Sequence, residues 1–298
     1  MIRRILLSLA AFVLFFGLFS LVTFWAHLNP PASVSQQTPG AIGLVFEEIE
    51  LHTEDGLKLA GWFIPRQADG AELTHASTLV VLHGWPEDKG SVLRGAVPLL
   101  DQFNLLLFDF RALGRSEGRH STLGAREAKD VQAALSWLEA SGHTEIGVWG
   151  FSMGGAVALM TAGQDPRIRA VVTDTSFARL DIMARDVFHI PLLGHGLALG
   201  MRAWSGLFLG IDIRRVAPVE AAAQLKTPSL IIHLKHDHLV PFDHALMLES
   251  ALADHPNAEF WFRDQGFYGQ VSAEYLERLR GFFDEHLGAE MLPGAGLP

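Results

Sequence analysis

From Ile5 to Trp25 the chain is apolar at every position except Ser8, Ser20 and Thr23, and Arg3 and Arg4 stand directly before this run. About 20 such residues match the hydrocarbon thickness of a bilayer, whereas the apolar part of a cleavable signal runs to about 7–15. Residues 1–27 therefore read as an uncleaved transmembrane signal anchor. The two arginines would stay in the cytoplasm and put the rest of the chain on the periplasmic or extracellular side of the cell membrane. A long cleaved signal peptide is the alternative, and it too would export the domain; no clear Ala-x-Ala site precedes Asn29-Pro30-Pro31. Residues 28–43, rich in Pro, Ser and Gln as far as Gly40, read as an extended linker.

Beyond the linker the hydrophobic period changes. Leu44 to Thr53 and Leu57 to Ile64 are partly alternating runs around Glu54-Asp55-Gly56, a hairpin signal. Thr78 to Leu82 and Leu105 to Phe108 are wholly apolar, as strands buried on both faces of a parallel sheet must be. Helical spacing of Ala125, Ala128, Val131, Ala134, Leu135 and Leu138 predicts a helix over Leu123 to Glu139. Further strands are expected at Ala170 to Thr173, Leu230 to Leu234 and Glu259 to Phe262, and a last amphipathic helix over Glu274 to His286. The alternation predicts an α/β domain over residues 44–288 with a mostly parallel, doubly wound sheet, followed by a flexible tail at 289–298.

Composition narrows the chemistry. A chain of 298 residues that is 49% hydrophobic can bury a large core. Its formal charge of −10, with no concentrated basic face, argues against nucleic acid as a partner. The absence of cysteine excludes disulfides, thiolate metal sites and a cysteine nucleophile.

One apolar run ends in Gly150-Phe151-Ser152-Met153-Gly154-Gly155 and passes into Ala156-Val157-Ala158-Leu159-Met160. A strand that turns sharply into a helix at a serine is a nucleophile elbow, with the serine held in strained geometry and its hydroxyl exposed. The elbow also aims the Met153 N–H and the positive helix end at the place where an oxyanion would form.

Taken in order, Leu82-His83-Gly84-Trp85, Asp109 to Ser116, Gly150 to Gly155 and His236-Asp237-His238-Leu239-Val240-Pro241 resemble the α/β-hydrolase superfamily, in the branch of serine-aminopeptidase-like and monoacylglycerol-lipase-like hydrolases. The resemblance covers about residues 44 to 287. It implies the Trp85 N–H as second oxyanion donor, a structural turn at Asp109 to Ser116 with Ala112 in place of the family's first glycine, and Asp237 as orienting acid. By the residues alone an N-cap or turn aspartate is the alternative reading of Asp237, and Asp174 is a fallback acid.

The third member of the expected triad is missing. The family's histidine follows the last strand, where this chain reads Phe262-Arg263-Asp264-Gln265-Gly266-Phe267-Tyr268-Gly269-Gln270. The vacant general-base position falls on Phe267, with Tyr268 as the alternate, and neither ring accepts a proton near neutral pH. His83, His189, His195, His238 and His244 lie on segments that could approach Ser152, though each has a structural explanation. His255 and His286 belong to the opposite edge of the sheet. His233, His236 and His238 do not converge, so no metal is expected, and nothing in the chain calls for a cofactor.

Residues 177–218, too apolar for an exposed loop, are expected to form a helical cap over an acyl or otherwise apolar pocket. The chain thus reads as a membrane-anchored serine hydrolase of ester, thioester or amide bonds with a small-molecule or lipid-like substrate. The alternative is a catalytically impaired pseudohydrolase that binds a ligand or partner.

Overall fold

The computed structural model describes residues 1–31, 34–67, 76–187 and 191–287. The predicted tail at 289–298 lies outside them. The chain begins with the apolar helix α1 (Ile2–Leu28), long and apolar enough by length and composition to cross a membrane. On the predicted linker, Ser35 is tied to the domain: its N–H donates to Asp88 Oδ2 at 2.6 Å.

The eight strands β1 (Glu47–His52), β2 (Lys58–Ile64), β3 (Thr78–Leu82), β4 (Asn104–Phe108), β5 (Ile146–Phe151), β6 (Ile168–Asp174), β7 (Ser229–Leu234) and β8 (Ala258–Arg263) form one sheet. Its order is β1-β2-β4-β3-β5-β6-β7-β8. The β1–β2 hairpin and the β2–β4 pair are antiparallel, and the remaining pairs are parallel.

The unbroken apolar strands are explained by helices on both faces. Val80 and Leu82 of β3 join Val131 and Leu135 of α3 (Ala128–Ala140) and Val157 of α4 (Met153–Ala162) on one face. Leu79 and Val81 join Leu93 of α2 (Lys89–Ala96) and Leu279 and Phe283 of α9 (Ala273–Leu287) on the other. Between β6 and β7 the chain forms α5 (Leu180–Asp186), α6 (Pro191–Leu209) and the short α7 (Pro218–Ala222), and α8 (Asp243–Ala251) follows β7.

The main departure from the predicted elements is at α3, which starts at Ala128 rather than Leu123. The buried Glu127 carboxylate accepts from the N–H groups of Thr122 and Gly124 and from the Ser121 and Thr122 hydroxyls. Those bonds hold residues 121–127 as a turn, with Leu123 at φ 53°.

Candidate active site

Parallel strands deliver their loops to one edge, and the loops after β3, β5, β6, β7 and β8 meet there. Gly150 ends its strand with no room for a side chain, because a Cβ there would collide with the Gly154 backbone. A Cβ on Gly154 would lie 2.6 Å from the His83 carbonyl, and one on Gly155 2.9 Å from the Gly150 carbonyl. These contacts let α4 start directly against the sheet. The turn leaves Ser152 at φ 49°, ψ −115°, a strained conformation for a residue with a Cβ, at the N-terminal end of α4. The Ser152 N–H donates to the Asp174 carbonyl at 2.9 Å, which ties the elbow to β6.

Met153 follows as the first residue of α4, and Gly84-Trp85 arrives from β3 on the other side. Ser152 Cβ is 3.4 Å from where a Gly84 Cβ would stand. Ser152, Met153 and Trp85 line one cavity of about 460 Å³, walled by apolar residues of the cap such as Leu180, Met183, Val187 and Met201. His27, at the end of α1, and His238 line it as well. The His27 ring stacks on Trp85, with centroids 5.6 Å apart and planes within 9°. Sequence reasoning missed His27 because it belongs to the N-terminal apolar helix, and only the docking of α1 brings it to this edge.

Of the two residues expected at the base position, Tyr268 stands beside Ser152 and Phe267 does not. Turn geometry is the reason: Gly266 and Gly269 at φ 115° and 72° fold the segment back, and Gln270 Oε1 accepts from the Phe267 N–H. Phe267 is left 67% exposed. The Tyr268 hydroxyl stands beside Ser152 and occupies the space next to Gly84, where a Cβ would lie 2.7 Å from it. Burial, reinforced by the negative charges of Glu87, Asp174 and Asp237, raises its pKa. Its phenol therefore stays protonated at neutral pH.

Asp237 lies in the turn after β7, and its Oδ1 accepts from the Leu239 and Val240 N–H groups at 2.6 and 2.7 Å. Asp174 is buried beneath the elbow. Tyr275 and Thr175 hydroxyls donate to its two oxygens, each at 2.8 Å, and burial pushes its pKa up.

Several histidines are committed elsewhere. His83 Nε2 accepts from the Phe110 N–H at 3.1 Å, so its Nδ1–H donates to the Gly84 carbonyl at 2.7 Å. His244 Nδ1 accepts from the Ala178 N–H, and burial pushes its pKa down to about 4. His233 sits 3.0 Å from the Val240 carbonyl through Nε2. His255 and His286 lie at the opposite sheet edge, His195 is on α6, and His189 is outside the described residues. His238, exposed on the loop after β7, is the histidine from the predicted set that lines the Ser152 cavity.

Comparison with known proteins agrees with this architecture. Residues 77–199 match the α/β hydrolase fold family. The uncharacterised protein YfhR of Escherichia coli K12 is 32% identical over 220 residues, spanning 70% of this chain and 69% of its own. The α/β hydrolase domain-containing protein WAV2 of Arabidopsis thaliana is 28% identical over 265 residues, 81% of this chain and 82% of its own. Among solved structures, the Pyrococcus furiosus esterase Pf2001 superposes with a TM-score of 0.71 at 28% identity, covering 88% of this chain and all of that one. The fold, the elbow geometry and these likenesses agree, and the chain belongs to the α/β-hydrolase superfamily.

Proposed function

We propose that the protein is a membrane-anchored serine hydrolase that cleaves an ester, thioester or amide bond of an acyl-bearing substrate. The reading rests on one observation: Ser152, strained at the head of α4, opens into an apolar cavity of about 460 Å³. In this reading Ser152 Oγ attacks the substrate carbonyl and its proton passes to an imidazole. The oxyanion is held by the N–H groups of Met153 and Trp85. Collapse expels the leaving group, which takes the proton back, and water then releases the acyl chain. Tyr268 cannot accept that proton, so the base is His238, which lines the same cavity; Asp237 stands next to it in the chain.

The membrane half of the proposal makes α1 an uncleaved anchor with Arg3 and Arg4 in the cytoplasm and the domain outside. Fractionation with protease treatment of spheroplasts should find the intact chain in the membrane and its domain digested. For the chemical half, a fluorophosphonate probe should label the wild type and not Ser152→Ala. His238→Ala should slow p-nitrophenyl ester turnover about a hundredfold, the usual scale of general-base catalysis.

A second reading has its own observation, the seating of Tyr268 on Ser152. There the site binds a ligand without turning it over, and neither probe labelling nor ester turnover would exceed that of Ser152→Ala.

A further inference from the structure

The second half of α1 is docked on the cap. A Cβ on Gly196 of α6 would lie 2.7 Å from Phe16 Cζ, and one on Gly200 2.7 Å from Ser20 Cβ. The Trp204 Nε1–H donates to Ser20 Oγ at 3.0 Å, and Phe208 stacks on Phe24 at 6.5 Å. Residue numbers rise together along both helices, so α6 runs parallel to α1. Leu197, Met201 and Ser205 of α6 are buried on a second face. A third face points outward, with Leu199 65% and Leu207 70% exposed.

This docking sets a length problem for an anchor. Only Ile2–Phe15 stays clear of the domain, at most about 21 Å of helix at ~1.5 Å per residue with Arg3 and Arg4 snorkelling to the cytoplasmic headgroups. A hydrocarbon core is about 30 Å thick, so the free stretch is short by about 9 Å. The cap can make up the difference by entering the leaflet, and its sequence permits this. No Asp, Glu, Lys or Arg occurs between Asp186 and Arg202. The charges at the ends of that stretch are paired, Arg185 with Asp186 at 2.7 Å and Arg202 with Asp212 at 3.7 Å. A sinking of about 9 Å, about six residues of rise, immerses α6 as far as about Met201, which is level with Leu21 of α1.

Resting on the anchor reading above, we infer that the first half of α6 enters the outer leaflet alongside α1, its axis following the anchor, and that the Ser152 cavity takes an acyl chain already embedded in that leaflet. The cavity wall includes residues of the elements this places at the bilayer, Met201 on α6 and His27 at the end of α1, and Met183 and Val187 from α5 and the residue after it. The substrate class is therefore a membrane-resident acyl lipid rather than a water-soluble short ester.

Because the chain has no cysteine, single spin labels test this directly. Leu14→Cys on α1, Leu199→Cys on α6 and Ser250→Cys on α8 would be labelled in the full chain in phosphatidylcholine vesicles and compared for accessibility to oxygen and to a nickel chelate. Leu14 and Leu199 should favour oxygen, and Ser250 the chelate. A Leu199 label open to the chelate while Leu14 is protected overturns the inference and leaves the anchor standing. A Leu14 label open to the chelate overturns both. The accessibility result is independent of whether Ser152 reacts.

The substrate half is read by Leu199→Glu with Leu207→Glu, neither of which lines the cavity. Labelling by a long-chain alkyl fluorophosphonate carried in the vesicles should slow at least about tenfold, the scale of placing a carboxylate in hydrocarbon. Labelling by a short soluble fluorophosphonate should stay within about twofold. Equal slowing of both, or of neither, overturns the leaflet route.

Discussion

The two sides of the site are built to different standards. On the nucleophile side, the ends of β3, β5 and β6 meet α4 with backbone against backbone, and Ser152 is kept in a strained conformation by glycines that admit no Cβ. On the base side, the loops after β7 and β8 are turns with exposed tips: His238, Leu239 and Phe267 all face solvent. Strain of order 1–3 kcal/mol persists only where the surroundings over-determine it. The first side therefore keeps the reactive geometry as a property of the fold, whereas the second leaves the proton acceptor to whichever side chain its turn presents.

The largest effect should come from breaking the tight side. Gly150→Ala puts a methyl group into the Gly154 backbone, where nothing flexible can yield. Overpacking of this kind should cost about 3 kcal/mol or more, seen as a steep fall in the thermal midpoint in detergent. Gly281→Ala in α9, where a Cβ meets nothing within 4 Å, should instead be neutral or stabilising by about 1 kcal/mol. Similar losses in both would mean the elbow is not specially constrained.

Sharpening the contrast means giving the loose side its missing group. In a His238→Ala background, Tyr268→His places an imidazole where the phenol now stands beside Ser152, and should restore about a hundredfold in ester turnover. Phe267→His, on a ring that faces solvent, should gain nothing. Combining Tyr268→His with Asp237→Asn should remove the gain if Asp237 orients the new imidazole. A gain that survives the asparagine would limit Asp237 to holding its own turn through Leu239 and Val240.

The same contrast explains what could be read in the sequence. Strands such as β3 and β5 are legible because burial on both faces leaves no charged position, and the elbow because its glycines are sterically required. The choice between Phe267 and Tyr268 was not legible, because one residue of register in a glycine turn decides which ring faces in, and no periodicity runs through a turn. Nor was the placement of His27: a wholly apolar N-terminal helix gives no sign of a docked face, and the stripe Ser20, Phe24, Leu28 that packs on the protein carries no composition signal. The late start of α3 was hidden for a related reason, since Glu127 looks like an ordinary first-turn acid until its carboxylate is seen to collect the N–H groups of the preceding turn.

Between the two sides lies His244, which accepts the Ala178 N–H and faces Asp186 at 3.8 Å. Burial, with smaller contributions from His233 and Arg185, outweighs the attraction of Asp186 and Asp243 and holds its pKa near 4. An imidazole whose folded-state value lies below its unfolded value of about 6.5 adds stability that is complete above that value and is lost as pH falls toward 4. Between pH 7.5 and 5 this group alone should remove about 2 kcal/mol. His244→Asn, whose amide oxygen can still accept from Ala178, should flatten the pH dependence by that amount. An unchanged slope would mean that the junction opens to water and that the tight side ends before Ala178.

The smallest effect is expected at Ala112, where the chain has alanine in place of the glycine its family uses. Ala112 sits at φ 61°, a left-handed conformation that costs a residue with a Cβ roughly 1–2 kcal/mol. The turn is held nonetheless: the Ala112 N–H donates to the Glu117 carbonyl at 2.9 Å, and the buried Asp109 carboxylate accepts from Arg115 N–H and pairs with Lys89 at 2.6 Å. Ala112→Gly would relieve the strain but add freedom to the unfolded chain, an offset of about 0.5–1 kcal/mol. The net should be a gain of about 0.5 kcal/mol in a denaturant titration, with fluorophosphonate labelling of Ser152 unchanged. A loss of stability would show that the methyl group contributes packing against Gly118, whose own Cβ would lie 2.7 Å from the Ala112 nitrogen. In that case the loop after β4 would belong with the elbow, as backbone so closely fitted that even its strained residue is part of the fit.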